Sequence, residues 1–382
     1  MPVRSTRLHA IRRSPRRFAK LRRLGLVGLA GLVALPLLAD SPVRAVDDAS
    51  GQVITLGAAA NLGAAPGRPV TGMARTASGK GYWLASSDGG VYAFGDAGFL
   101  GATTAPRQPI VDIAATPTGR GYWLVSADGG VFAYGDAPFA GSLGDLHMNA
   151  ALVGVAATPT GKGYWLAAED GGVFAFGDAP FLGSAGGSAI NAPIVGISAT
   201  PSGRGYRLLA RDGGVFAFGD ASFVGSPVGQ HSGPFVDIAT SADGNGYWLA
   251  ATDGSVNAFG SALAPSTQLV GASGAPVTAV EATPAGDGVW MATGGDAIGD
   301  FSVSCYALQG TTATGALVGR DVVAVDPRAV PLGSEIFVGG LGVKRALDTG
   351  GAIKGRRLDI WNPSVSFCRE FGMRRLTAYA VR

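Results

Sequence analysis

Histidine is nearly missing from this chain of 382 residues: there are three, His9, His147 and His231. Cysteine is scarcer still, at Cys305 and Cys368 only, and charged side chains make up 15%. No GxSxG elbow occurs and no histidine follows His231, so the last third of the chain has no base for a serine or cysteine triad. Two thiols more than sixty residues apart, with no histidine near them, do not form a zinc set, and neither a metal nor a cofactor is expected. The GxxxxGK[ST] spacing of a phosphate-cradling loop and the D-x-D-x-D pattern of a calcium loop are both absent. No nucleic-acid partner is expected.

Glycine, by contrast, is abundant at 62 residues, which suggests many tight turns between strands. Much of it belongs to a repeat. The tetrapeptide GYWL starts at Gly81, Gly121, Gly163 and Gly246, with GYRL at Gly205 and GVWM at Gly288, at spacings of 40 to 42 residues. Each unit reads as four short β-runs with turn residues between them, as in IVDIAATP, GYWLVSADG, GVFAYGDA and FAGS. Four strands in about 42 residues describe a β-propeller blade. An orphan second half, Ser50 to Gly63, precedes the first unit, and an orphan first half, Pro276 to Gly295, follows the last. Five whole units and one split unit give six blades, with the ring held shut by the shared one.

Within each unit Asp88, Asp128, Asp170, Asp212 and Asp253 stand before glycine between two β-runs, the preferred pair of a type I′ hairpin. The recurrent tyrosine, tryptophan and phenylalanine residues are expected to pack between blades, with sugar-binding walls as the rival role.

Beyond residue 299 the pattern changes. Four short β-runs joined by tight turns end at or contain three aspartates: VVAVD to Asp326, EIFV, VKRALD to Asp348, and RRLDIW around Asp359. In the last run, period 2 puts Leu358 and Ile360 on one face and Arg357, Asp359 and Trp361 on the other. Thr349, Gly350, Gly351, Lys354 and Trp361 are the candidate substrate-binding residues, because glycines permit positive φ and close approach of a ligand, and the indole offers a flat wall. With histidine excluded, carboxylate chemistry remains, from Asp321, Asp326, Glu335, Asp348, Asp359 and Glu370.

The ordered blocks GTTATG (Gly310 to Gly315), VAVDP, VPLGS, ALDTGGAIKG and RLDIW resemble the three-aspartate, or 3D, domain, and the repeat resembles a β-propeller region of actinobacterial type. The resemblance implies a small double-psi β-barrel related to membrane-bound lytic transglycosylase A. The expected fold is therefore all-β, a six-bladed propeller over residues 46–299 followed by a double-psi barrel over 300–382. The resemblance makes Asp359 the catalytic acid, with Asp348 and Asp326 in support, and peptidoglycan glycan strands the substrate. The expected activity is lytic transglycosylation, a glycosidic cleavage that one acid and base can perform, with the propeller as a binding or positioning module of unassigned ligand. The alternative is a wall-binding protein whose barrel holds glycan without cutting it. The lone cysteine pair in an exported chain reads as a disulfide, worth about 4 kcal/mol in the chain-entropy treatment.

The first 45 residues read as an export signal, with ten Arg or Lys and one Asp, the apolar run Leu24 to Ala39, and then Val43-Arg44-Ala45. Without that basic segment the chain has a net charge of −6, distributed as −10 over residues 46–299 and +4 over residues 300–382. A basic carboxy-terminal module suits an anionic wall polymer. A secreted or wall-associated location follows, with no stable membrane span after cleavage. The protein recovered from culture medium should begin near Val46; an intact mass that still includes residues 1–45 would refute this.

Overall fold

A computed structural model describes residues 49–229, 234–264 and 273–381. The export segment, the cleavage site before Val46, His9 and His231 lie outside the described residues. Among the described residues no helix is long and apolar enough to cross a membrane.

Each GYWL segment is the middle strand of an antiparallel sheet. In the first blade it is Gly81–Ser86, between an inner strand Val70–Arg75 and an outer strand Val91–Gly95. Five sheets follow this plan, and the sixth joins Val53–Gly57, from the beginning of the array, to Gly288–Thr293 and Val277–Ala282 from its end. The split blade thus closes the ring as the two orphan halves predict. Gly51 N donates to Thr293 O at 2.6 Å just beyond the ladder.

The middle strands are buried along their whole length because both of their faces meet a neighbouring blade. Alternation sends tyrosine to one seam and tryptophan to the other. Trp83 meets Tyr122 at 5.5 Å, Trp123 meets Tyr164 at 5.4 Å, and Trp290 of the split blade meets Tyr82 at 6.0 Å. In the fourth blade Arg207 takes the tryptophan position, fully buried, with its guanidinium 5.0 Å from the Tyr247 ring centroid.

The blades differ from expectation in having three strands, not four. The fourth run lies in the seam between blades, where side chains take up its backbone groups. Trp83 Nε1 donates to Gly98 O at 2.7 Å, Tyr122 Oη donates to Gly101 O at 2.6 Å, and Leu100 N donates to Tyr122 Oη at 3.2 Å. The hairpins differ too. A type I′ turn needs positive φ at both central residues, whereas only Gly89 has it, at 92°. Gly89 N donates to Ser86 O and Ser86 N donates to Gly90 O, both at 2.9 Å, so the central pair is Ser87-Asp88 and the glycine forms a G1 bulge. Asp88 accepts from Gly90 N at 3.1 Å.

The inner strands surround an axial cavity of about 550 Å³. Asp112 and Asp237, in the second and fifth blades, each reach the next blade, accepting from Val155 N at 2.9 Å and Val280 N at 2.8 Å. Burial raises both carboxyls, that of Asp112 to about 7.

The carboxy-terminal module is a closed six-stranded barrel. Its strands are β1 (Ala297–Tyr306), β2 (Val322–Ala324), β3 (Glu335–Val338), β4 (Gly342–Asp348), β5 (Arg357–Trp361) and β6 (Arg374–Ala380), with one helix, α1 (Val365–Phe371), before β6. The order around the barrel is β1-β5-β2-β4-β3-β6, with β1/β5 and β2/β4 parallel. Phe301, Val303, Val323, Ile336, Leu358 and Ile360 fill it. The barrel rests on the hairpin end of the propeller: Arg211 pairs with Glu335 at 2.5 Å, Ala49 N donates to Tyr379 Oη at 3.2 Å, and Ala275 packs with Phe337 and Tyr379.

Deleting residues 50–63 removes the outer strand of the closing blade, with buried Val53 and Leu56. The melting temperature should fall by roughly 10 to 20 °C. A truncated protein with an unchanged melting curve would contradict closure through this blade.

Candidate functional site

The register of the barrel assembles the site. Ser304 of β1 lies opposite Asp359 of β5, Asp359 lies opposite Ala324 of β2, and Ala324 lies opposite Asp348 of β4. Side chains at paired positions share a face, so these four residues form one row across four strands. Leu358 and Ile360 point into the barrel core, and Asp359 points away from it, as the alternation in RLDIW requires.

Asp359 is half-buried and accepts one hydrogen bond, from Ser304 Oγ at 2.8 Å. Burial raises its pKa, and the negative charge of Asp348 adds to the shift; the Ser304 hydroxyl and the Arg357 cation oppose it. A carboxyl in this setting keeps its proton above the ordinary carboxylate range, which a general acid needs. Tyr306 of β1 donates to Asp348 Oδ2 of β4 at 3.4 Å. Burial and the charges of Asp348 and Asp359 push the Tyr306 hydroxyl up to about 12, so it remains a proton donor at neutral pH.

The other two aspartates hold the glycine loop at its two ends. Asp348 Oδ1 accepts from Thr349 N at 2.9 Å and from Ala313 N at 2.8 Å. Asp326 is buried and accepts from Gly355 N at 2.7 Å, from Arg328 N at 3.1 Å and from the Arg328 guanidinium at 2.7 and 3.1 Å. The Arg328 bond and the backbone donors hold the Asp326 carboxyl well below its ordinary range. It is an anion with every lone-pair direction occupied, unsuited to proton transfer.

Between these clamps Thr349, Gly351 and Lys354 are exposed and Ile353 anchors the loop in the interior. Of the three loop glycines only Gly355 has positive φ, at 60°, so the conformational freedom expected of Gly350 and Gly351 is not used. Gly350 is required for space, since a Cβ there would come within 2.8 Å of Ile353. Among the described residues Lys354 forms no ion pair with the three aspartates. Trp361 lies beside Tyr306 in the ladder and donates from Nε1 to Leu308 O at 2.8 Å.

The Cys305–Cys368 disulfide ties β1 to α1 next to Tyr306, as the lone pair of cysteines predicts. An open cleft of about 340 Å³ adjoins it, lined by Tyr306, Leu308, Val365 and Arg369 among others. Ser304 and Tyr306 escaped the sequence reading because nothing in FSVSCYALQG distinguishes an outward hydroxyl from an ordinary strand residue; only the parallel pairing with β5 does. The GTTATG block was visible, and its role is now specific: it presents Ala313 N to Asp348, and Thr314 Oγ1 donates to Leu347 O at 2.9 Å.

Residues 321–381 match the 3D domain family. The chain is 38% identical over 81 residues to the cell wall-binding protein YocH of Bacillus subtilis (strain 168), covering 20% of this chain and 28% of that protein. YabE of the same bacterium is 36% identical over 113 residues, 28% of this chain and 27% of that protein. The chain therefore spans less than a third of the length of either curated relative. Among solved structures, the β-propeller domain of Cps50 (Swd1) from Myceliophteria thermophila is similar over 59% of this chain and 83% of that one, at 12% identity and a TM-score of 0.40. The carboxy-terminal module of this chain is a 3D domain, built as a closed six-stranded barrel and preceded by a six-bladed β-propeller.

Proposed function

We propose that the protein is an exported, wall-associated lytic transglycosylase of peptidoglycan, with Asp359 as its single acid and base and the propeller as a binding or positioning module. The observation that carries this reading is the half-buried Asp359, aimed outward from the barrel core, with one hydroxyl partner and a second carboxylate in the same row. Protonated Asp359 gives its proton to the glycosidic oxygen as the bond to muramic acid C1 breaks. Its carboxylate then removes the proton from the C6 hydroxyl, and O6 closes on C1 to form a 1,6-anhydro ring. The proton returns to Asp359 and no water is consumed. Tyr306 and Ser304 fix the surroundings of the acid, burial and to a lesser extent the charge of Asp348 keep its pKa high, and Trp361 with the 349–355 loop forms the wall on which sugar lies. The name of YocH supports a second reading, in which the barrel binds wall glycan and leaves it uncut.

Asp359→Asn keeps the shape of the side chain and removes the transferable proton. Release of anhydro-muropeptides from purified peptidoglycan should fall about 100-fold or more, with binding and melting temperature retained. Wild-type protein that binds peptidoglycan but yields no anhydro ends at any pH from about 4 to 8 would establish the binding reading instead.

The pH profile gives a finer test. Activity needs protonated Asp359, so it should fall as pH rises through a pKa above about 3.9. Asp348→Asn removes a charge that raises this pKa and should move the alkaline limb to lower pH; Ser304→Ala removes a bond that lowers it and should move the limb to higher pH. Shifts in the same direction would exclude Asp359 as the titrating group.

Asp326→Asn should act through stability. Because the folded-state pKa of Asp326 is depressed, its contribution is present above about 3.9 and is lost only as pH falls through the lower folded value. The variant should melt below wild type at pH 7, with the gap closing in strong acid; equal melting curves at neutral pH would remove the structural role.

A further inference from the structure

Two groups among the phenylalanines of the repeat stand in contrast. Phe94, Phe176, Phe218 and Phe259 pack against the buried tyrosines of the seams. Phe99, Phe139, Phe181 and Phe223 are 59 to 63% exposed. Each of these four directly follows the carbonyl held by the buried tryptophan or arginine of its blade: Gly98, Pro138, Pro180 and Ser222. In the fifth and the split blade the held carbonyls belong to Leu263 and Ala60, and the following residues are Ala264 and Asn61. Two native blades therefore form without the aromatic ring, so the fold does not require it.

The same four blades share a second feature. The residue before the GYWL or GYRL glycine is Lys80, Arg120, Lys162 and Arg204, all exposed, whereas the other two blades have Asn245 and Asp287. Base and ring leave the same end of the blade: Asp96, three residues before Phe99, donates from N to Lys80 O at 3.1 Å, and Asp136 and Asp220 repeat this with Arg120 and Arg204 at 3.0 and 2.9 Å. The carboxylates in these turns are occupied by hydroxyls, as Asp96 is by Thr76 at 2.8 Å and Ser78 at 2.5 Å, and Asp220 also lies 3.7 Å from Arg204. The barrel docks at the opposite, hairpin end, through Arg211 and Glu335.

We propose that blades one to four form an arc that binds a peptidoglycan glycan strand, each exposed phenylalanine stacking on the apolar face of a sugar and each base meeting a carboxylate of the lactyl or stem-peptide groups. A phenylalanine ring and a base, Lys or Arg, repeated once in each of four successive blades match a ligand that itself repeats. This inference rests on the wall-directed reading of the protein, and it assigns the propeller its share of the binding.

The test uses the full mature chain in the Asp359→Asn background, so that the wall is not consumed, with insoluble peptidoglycan stripped of phosphate polymers as the probe. Single Phe→Ala changes at 99, 139, 181 or 223 should weaken binding by about three- to tenfold each, and the fourfold variant by about 100-fold or more. Gln at positions 80, 120, 162 and 204 together should weaken binding and flatten its salt dependence. Anhydro-muropeptide release from short soluble glycan fragments by the fourfold Phe→Ala variant with Asp359 intact should match the parent. Ala264 and Asn61 show that the position accepts small residues, and melting curves confirm the fold; if the fourfold variant melts early, the single variants and the Gln variant decide. Unchanged affinity in the Phe and Gln variants, with loss on Trp361→Ala, would overturn the arc and leave the barrel's role standing. Phe-dependent binding by a protein that never cleaves glycan would uphold the arc and overturn the enzyme reading. Binding only to wall that retains its phosphate polymers, or only to a protein, would overturn the arc.

Discussion

A fully buried tyrosine or tryptophan must place its one polar hydrogen on an acceptor, and the propeller is organised around that requirement. Four of the six middle strands bury both rings at once; the fourth blade has Arg207 in the tryptophan place and the split blade has Val289 in the tyrosine place. The acceptors are carbonyls of the segment that leaves the outer strand, Gly98 for Trp83 and Gly63 for Tyr82. These bonds place the connecting segment in the seam, where it cannot also form a fourth ladder, and they fix where the next blade begins. Arg207 satisfies the same constraint with a guanidinium, donating to Ser222 O at 2.9 Å and to Gly244 O at 2.8 Å, while the Tyr247 ring covers its face.

The three aspartates of the barrel look equivalent as letters and are chemically divergent in place. Asp326 is saturated with donors, three of them on Arg328, and is an anion. Asp348 divides its oxygens between two backbone amides and a tyrosine hydroxyl, so it serves both as a loop clamp and as a source of negative charge. Asp359 has one hydroxyl and a buried flank. The difference comes from position along the chain: Asp348 ends β4 and Asp326 lies two residues beyond β2, where turn amides point at them, whereas a mid-strand residue has its neighbours' amides committed to the ladder. Few donors and partial burial are what raise a carboxyl pKa.

Most of the fold was legible because its signals are periodic. Six GYWL-type segments fixed the blade count, the orphan halves at Ser50 and Pro276 fixed how the ring closes, and alternation in RLDIW fixed the face of Asp359. What was not legible depends on contacts between distant segments. The four-strand blade failed because FAGS has strand-like composition but loses its ladder bonds to Trp and Tyr side chains of the seam. The type I′ turn failed because DGG suits a G1 bulge as well, and flanking register decides between them. Ser304 and Tyr306 could be assigned only once β1 was seen to run parallel to β5, a pairing that links residues more than fifty positions apart.

The barrel and the exposed phenylalanines are at opposite ends of the propeller blades, and this separation has a mechanical meaning. A single cleft that both holds a polymer and cuts it must release its grip after each event. In the proposed arrangement, weak contacts repeated from blade to blade would break individually while the others keep the strand near, because rebinding is intramolecular and governed by effective concentration instead of bulk affinity. The barrel is fixed to that ring by the Arg211–Glu335 pair and by the Ala275, Phe337 and Tyr379 cluster. In the proposed reading these contacts hold the arc and Asp359 at opposite ends of the blades, so neighbouring strands of a cross-linked wall, and not one short fragment, would engage both.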